Sequence, residues 1–142
     1  MTLLDVNVLI YAYHADTPQH AATAAWLEIA LAGPDPIGLS WPVAWAFIRI
    51  STSARIWPTP IPAGVTVNIL RELLARPNVS LIEPGPRHLE ILETLITKCN
   101  ATGPLVSDAV LAALAIENGA ILASTDRDFS RFDNLRWINP LA

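Results

Sequence analysis

Lysine is nearly missing from this chain: of its nine basic residues only Lys98 is lysine, and the others are arginines. Thirteen acids outnumber those bases and give a net charge of −4, so there is no overall attraction to nucleic acid or to an anionic membrane. Any polyanionic partner must be met locally. Charge of either sign is scarce, at 15% of residues. Cys99 stands alone, which excludes an intrachain disulfide and the disulfide-stapled secreted classes; a reducing cytoplasm is the expected compartment. The three histidines, His14, His20 and His88, have no zinc-binding spacing. Long hydrophobic runs are also lacking, since the longest, Ala109 to Ile116, is far too short to span a bilayer. The N-terminal MTLLDVNVLI carries Asp5 where a signal peptide needs apolar residues.

Apolar side chains are plentiful. They make up 52% of the 142 residues, a length that predicts one domain, 1–142, with helices covering both faces of a buried sheet. A sticky surface that serves as a partner interface is the other reading of the same apolar excess, and a homodimer is expected. Leu3-Leu4 and Val6 to Ile10 read as a β-branched strand around Asp5. Thr17-Pro18 starts a helix that runs to Gly33, Ile37 to Leu39 is a second strand, and Ser40-Trp41-Pro42 opens a helix to about Ala54. The prolines between Trp57 and Pro62 exclude a helix interior there. A helix from Ala63 to Ala75, a strand Val79 to Ile82 and a helix from Pro86 to Lys98 follow. Thr102-Gly103-Pro104 then breaks the chain before a helix from Ser107 to Asn118, closed by Gly119. Ile121 to Ala123 and Trp137-Ile138 complete the strands. Alternating strands and helices imply a mainly parallel sheet, whose ligands sit beyond the carboxyl ends of the strands.

Four acids break this apolar pattern. Asp5 sits within a strand, Asp108 at a helix opening, and Asp126 and Asp128 in STDRDF (Ser124 to Phe129), just past the last buried run. Asp108 and Asp126 could each serve merely as helix or turn caps, whereas Asp5 has no capping task evident from the sequence. A carboxylate in apolar surroundings needs hydrogen bonds, a base or a cation, and several at one sheet edge repel one another unless a cation is present. Carboxylates are hard ligands, so the expected ion is Mg²⁺ or Mn²⁺, and the natural chemistry is phosphodiester hydrolysis.

LLDVNVLIYA at the start, SDAVLAALAIENGAILASTDRDFSRF near the end and the closing LRWINPL together resemble the PIN-domain ribonucleases, specifically VapC-type toxins of bacterial toxin–antitoxin pairs. The resemblance spans nearly the whole chain. It implies a PIN-like three-layer α/β fold, with a mainly parallel central sheet flanked by helices, that cleaves RNA with Mg²⁺ or Mn²⁺ and is held in check by a VapB-like antitoxin. Asp5, Asp108 and Asp126 match the family's catalytic, metal-binding acids, Asp128 matches a further acid of the same loop, and Asn7 and Thr125 match positions that orient the site. Arg49, Arg55, Arg127 and Arg131 are candidate RNA contacts, set against ordinary surface or ion-pairing roles. Trp41, Trp45, Trp57 and Trp137 could stack on RNA bases, but core or interface positions are the commoner fate of aromatics, and Trp26 and Trp137 are expected in the core.

The family commonly has a Glu on the helix after the second strand, and the pattern places Ala46 there, so the site is one acid short unless Asp128 compensates. Glu72 and Glu83 fall on other elements and are no evident substitutes. That gap keeps a second reading open, a catalytically weak or silent domain that acts by binding a partner. A third, a phosphatase of the haloacid-dehalogenase type, fits poorly because Asp5-Val6-Asn7-Val8 lacks its second aspartate.

Overall fold

A computed structural model describes Met1–Ala142. Strand β1 (Thr2–Leu4) lies at the centre of a five-stranded sheet of order β3-β2-β1-β4-β5, with β2 Ile37–Leu39, β3 Val79–Leu81, β4 Ile121–Ala123 and β5 Arg136–Ile138. Every pairing is parallel, with Leu3 opposite Gly38 on one side and Leu122 on the other. All of β2 is buried, and successive residues of a strand point to opposite faces, so both faces of the sheet are covered. The expected three-layer architecture is therefore present, with a sheet that is wholly rather than mainly parallel.

The helices are α1 Val6–Tyr13, α2 His20–Ala32, α3 Trp41–Ser51, α4 Ala63–Leu74, α5 His88–Cys99 and α6 Pro104–Glu117. Helix α1 packs on both α2 and α3, α3 packs on α4, and α5 packs on α6. One buried cluster joins them to the sheet, with Leu3, Leu4, Val8, Leu9, Leu39, Phe47 and Leu122 at most 1% exposed.

The first element differs from its sequence reading. The strand stops at Leu4, and Val6 to Ile10 are helical. Short apolar runs do not distinguish strand from buried helix by composition, and the β-branched residues here favoured the wrong one. The spacing carries the helix instead: Val8, Leu9 and Ala12 are buried while Asn7 and Tyr11 are not. Asp5 makes the switch. Its backbone stays extended (φ −83°, ψ 160°) and its N–H still reaches the Ala123 carbonyl at 3.0 Å, while its carboxylate accepts from Val6 N–H at 2.7 Å and caps α1. The aspartate that had no evident capping task is a cap.

Helix α6 also starts earlier than expected. Pro104 occupies its first turn, where a missing N–H costs nothing, and Gly103 precedes it at φ 58°. Asp108 therefore sits in the second turn, beyond any capping position. The helix closes at Asn118 with Gly119 following at φ 62°. Trp57 stacks on buried His14, with ring centroids 3.8 Å apart, and donates its indole N–H to the Ile50 carbonyl at 2.9 Å, which fixes the proline-rich connection to the body of the domain.

Candidate functional site

The chain leaves β1 towards β2 and β3 on one side, and β4 and β5 lie on the other. The carboxyl ends of β1 and β4 thus form a topological switch point, the crevice in which open parallel sheets hold ligands. Asp5 ends β1, and Ser124 to Asp126 end β4.

Ser124 ties the two ends together. Completely buried, it donates its hydroxyl to Asp5 Oδ2 at 2.7 Å and accepts from Asn7 Nδ2 and from Asp126 N–H, each at 3.0 Å. Asn7 completes the clamp: Nδ2 also donates to Asp5 Oδ2 at 3.0 Å, and Oδ1 accepts Thr125 N–H at 3.1 Å. Thr125 thus enters through its backbone, not its hydroxyl. Trp137 donates its indole N–H to the Ser124 carbonyl at 2.9 Å and packs against the core, as expected of it. Trp26 is likewise partly buried against the core.

Asp126 caps a 3-10 turn, Arg127–Arg131, by accepting Asp128 N–H at 2.9 Å. Capping and clustering are not alternatives here. Carboxylate oxygens of Asp108, Asp126 and Asp128 lie within 4.8 Å of one another, with the first two half-buried and Asp128 exposed. Asp5, only 8% exposed, stands beside this trio rather than within it. Electrostatics nonetheless joins the four. Burial pushes the Asp108 carboxyl up to about 6, and the charges of Asp126, Asp5 and Asp128 add to the rise, with Arg131 opposing it. Burial also raises Asp5, against its hydrogen bonds from Ser124 and Val6, and Asp126 contributes repulsion. Arg131 pairs with Asp128 alone, at 3.3 Å. This is a set of hard oxygen donors with only Arg131 as counter-charge, the environment that suits a divalent cation.

Beside the acids lies a cavity of about 780 Å³, lined by Asp5, Asp108, Ser107, side chains of α3 and the loop after β3. Ala46 and Arg49 are in its wall, as are Glu83 and His88. Glu83 therefore faces the same space as Ala46, which its place on another element had hidden. The loop carrying it is held by Glu117 of α6, whose carboxylate accepts Gly85 N–H at 2.8 Å and Arg87 N–H at 2.9 Å. Arg55 and Arg127 are exposed and outside the lining, and Glu72 is on α4, away from it.

Sequence reasoning gave Ser124 no role. Its only signal was a small hydroxyl residue at the junction of an apolar strand and an acid. Ser124→Ala leaves Asn7 and Asp126 N–H groups short of an acceptor and removes one of the three hydrogen bonds that hold the Asp5 carboxylate. Mn²⁺ affinity is expected to fall about 10- to 100-fold, the usual cost of losing a group that orients metal ligands. Calorimetric titration of the purified chain checks this, and an affinity within twofold of the parent would contradict it.

A family model for the PIN domain matches residues 2–135. Ribonuclease VapC33 of Mycobacterium tuberculosis is 41% identical over 141 residues, 99% of each chain, and ribonuclease VapC37 of the same species is 38% identical over 142 residues, 100% of this chain and 99% of that one. Among solved structures, VapBC2 from Rickettsia felis, bound to a DNA fragment from its promoter, superposes with a TM-score of 0.71 at 20% identity, covering 97% of both chains. Mycobacterium tuberculosis VapC20, described as a sarcin-ricin-loop-cleaving toxin, gives 0.66 at 18% identity, covering 96% of this chain and 99% of that one. Fold, motif and identity along the whole length agree: the chain belongs to the PIN-domain family, among its VapC-type ribonucleases.

Proposed function

We propose that this chain is a Mg²⁺- or Mn²⁺-dependent endoribonuclease, the toxin of a toxin–antitoxin pair, with Asp5, Asp108 and Asp126 as its metal-binding catalytic acids. The observation that supports it most is the convergence of Asp108, Asp126 and Asp128 beside buried Asp5, with no base among them except the Arg131 held by Asp128. When bound, a hard divalent cation supplies an acidified water and neutralises charge on the phosphoryl oxygens. The chain's own residues do the rest. Ser124 and Asn7 hold Asp5 in one rotamer, the turn at Asp126 aims that carboxylate towards Asp108, and the cavity wall keeps bulk water from one side of the reacting phosphate. Asp128, exposed and paired, is an outer ligand that offsets the alanine at position 46.

The partners follow from the same surfaces. A VapB-like antitoxin fits a chain whose structural neighbours include VapBC complexes, and its terminal segment would occupy the apolar cavity beside the acids. Exposed Ile29, Ile56 and Leu89 supply apolar area for a homodimer. No helix is long and apolar enough to cross a membrane, and the RNA substrate and unpaired Cys99 fit work in the cytoplasm. The loss of an acid at Ala46, in the cavity wall, favours the second reading, a silent domain that only binds its partner.

Metal removal separates the two. Chain purified free of antitoxin should cut RNA with Mn²⁺ or Mg²⁺, lose that activity in EDTA and regain it when Mn²⁺ is restored. Cleavage that persists in EDTA would remove the metal from the mechanism. An inert chain with all three acids intact would favour the silent domain.

A further inference from the structure

The first side chains of α3 expose an aromatic pair. Trp41 and Trp45 are 38% and 61% exposed, and their rings lie nearly parallel, at 15° with centroids 6.1 Å apart. They are four residues apart on one helix face, and Arg49 follows at the same spacing. All three line the cavity that also holds Asp5 and Asp108. The Trp41–Trp45–Arg49 stripe therefore shares one cavity with the acids.

Leaving two indoles in water is unfavourable for folding, and the core does not require them there. The site has an unusual problem that they address. RNA is a polyanion, the chain carries a net charge of −4, and Arg49 is the only arginine or lysine in the cavity wall, which also contains Asp5, Glu83 and Asp108. Within the cavity wall, Arg49 alone among the side chains offers a phosphate a positive charge. Stacking can add affinity without one, because every base has an aromatic face and the interaction does not depend on positive charge. A paired base keeps its faces covered by its own neighbours, so a stacking surface selects nucleotides already out of the helix.

We propose that Trp41 and Trp45 form a stacking platform for unpaired bases of the RNA next to the scissile bond, with Arg49 holding one adjoining phosphate. The platform rests on the nuclease reading and specifies its substrate as unpaired RNA. It also makes binding depend on ring faces more than on salt.

The test measures binding apart from cleavage. Fluorescein-labelled RNA is titrated in Ca²⁺ with the full chain, using an unpaired 10-mer and a hairpin stem of the same base composition, with intact oligonucleotide verified on a gel. The unpaired strand is expected to bind at least tenfold more tightly than the stem. Trp45→Leu should weaken it about tenfold and the double Leu variant further, while Trp45→Phe restores most of the loss and the Tm of each variant stays near the parent's. The slope of log affinity against log salt should be shallow, about −2 or less in magnitude, as one or two neutralised phosphates require. Equal affinity for strand and stem, or unchanged affinity in the double variant, overturns the platform. So does a double variant that keeps its RNA affinity but no longer binds an antitoxin segment, which would make the stripe a protein-docking face. Failure of the nuclease reading is distinguishable: a chain that binds in this Trp-dependent way and never cuts keeps the platform and loses the enzyme.

Discussion

Asp126→Asn slows RNA cleavage in saturating Mn²⁺ by on the order of 10²–10³-fold, the scale on which one charge-stabilising group is lost from an active site. Asparagine retains an oxygen to accept Asp128 N–H, so the cap of the 3-10 turn survives and the fold with it. What disappears is the charge. Asp126 is the acid whose field reaches both Asp5 and Asp108, so its neutralisation affects the site from both sides. Asp5→Asn is expected to match it, because a neutral amide at the end of β1 must also reorganise the hydrogen bonds from Ser124 and Asn7. Asp128→Asn should cost less than about tenfold, as expected for an exposed carboxylate already paired with an arginine. Steady-state kcat/KM on one RNA, with Tm as the folding control, reads all three. Cleavage by Asp126→Asn within threefold of the parent would mean that the acids do not carry the chemistry, and an Asp128 effect as large as the others would make that residue a direct ligand of the metal rather than an outer one.

The second large effect runs the opposite way. Asp108→Asn, expected to be inactive, should be more stable than the parent at pH 7.5 without metal. The Asp108 carboxyl is raised from its ordinary 3.8 to about 6 in the folded chain, so the native state binds more protons than the unfolded one between those values. Stability from this group is therefore fully present at low pH and falls as pH rises through that window, with the loss complete above about pH 6. Asparagine has no proton to lose. At pH 7.5 the variant should gain about 3 °C in Tm, the shift that roughly 1 kcal/mol, reduced for solvent screening, gives in a domain of this size. At pH 4.5 the two proteins should melt within about 1 °C of each other, because Asp108 is then already protonated in the fold. Mn²⁺ should raise the parent's Tm at pH 7.5 and do so far less at pH 5, where the ion must displace a proton. A gain of equal size at both pH values would mean that helix propensity, not charge repulsion, explains it.

Much of this site was legible in the sequence because its acids interrupt apolar runs. Asp5 after Leu3-Leu4 and Asp126 after Ile121 to Ala123 mark strand ends, and the parallel topology that sets those ends side by side follows from strand-helix alternation. Asp108 likewise stood out as an acid in an apolar helix, whereas the orienting role of Asn7 was expected from the family resemblance alone. Three things were hidden. Helix α1 was read as strand because Val6, Val8 and Ile10 are β-branched, and its tertiary burial outweighs that propensity. Ser124 was invisible because its importance lies in contacts with residues 117 and 119 positions away. Glu83 was set aside for lying on another element and His88 for lacking zinc-binding spacing, and no periodicity reveals that the loop after β3 shares a cavity with α3; Glu117, on α6, fixes that loop.

The hydrogen bond from Ser124 to Asp5 spans 119 positions, nearly the whole chain. It makes the acidic crevice a product of long-range closure. Until β4 pairs with β1, that edge of β1 has no partner and nothing holds Asp5 against Ser124. Closing so long a loop is costly in entropy, so the crevice is expected to be lost whenever this one pairing opens, while helices held by local contacts persist.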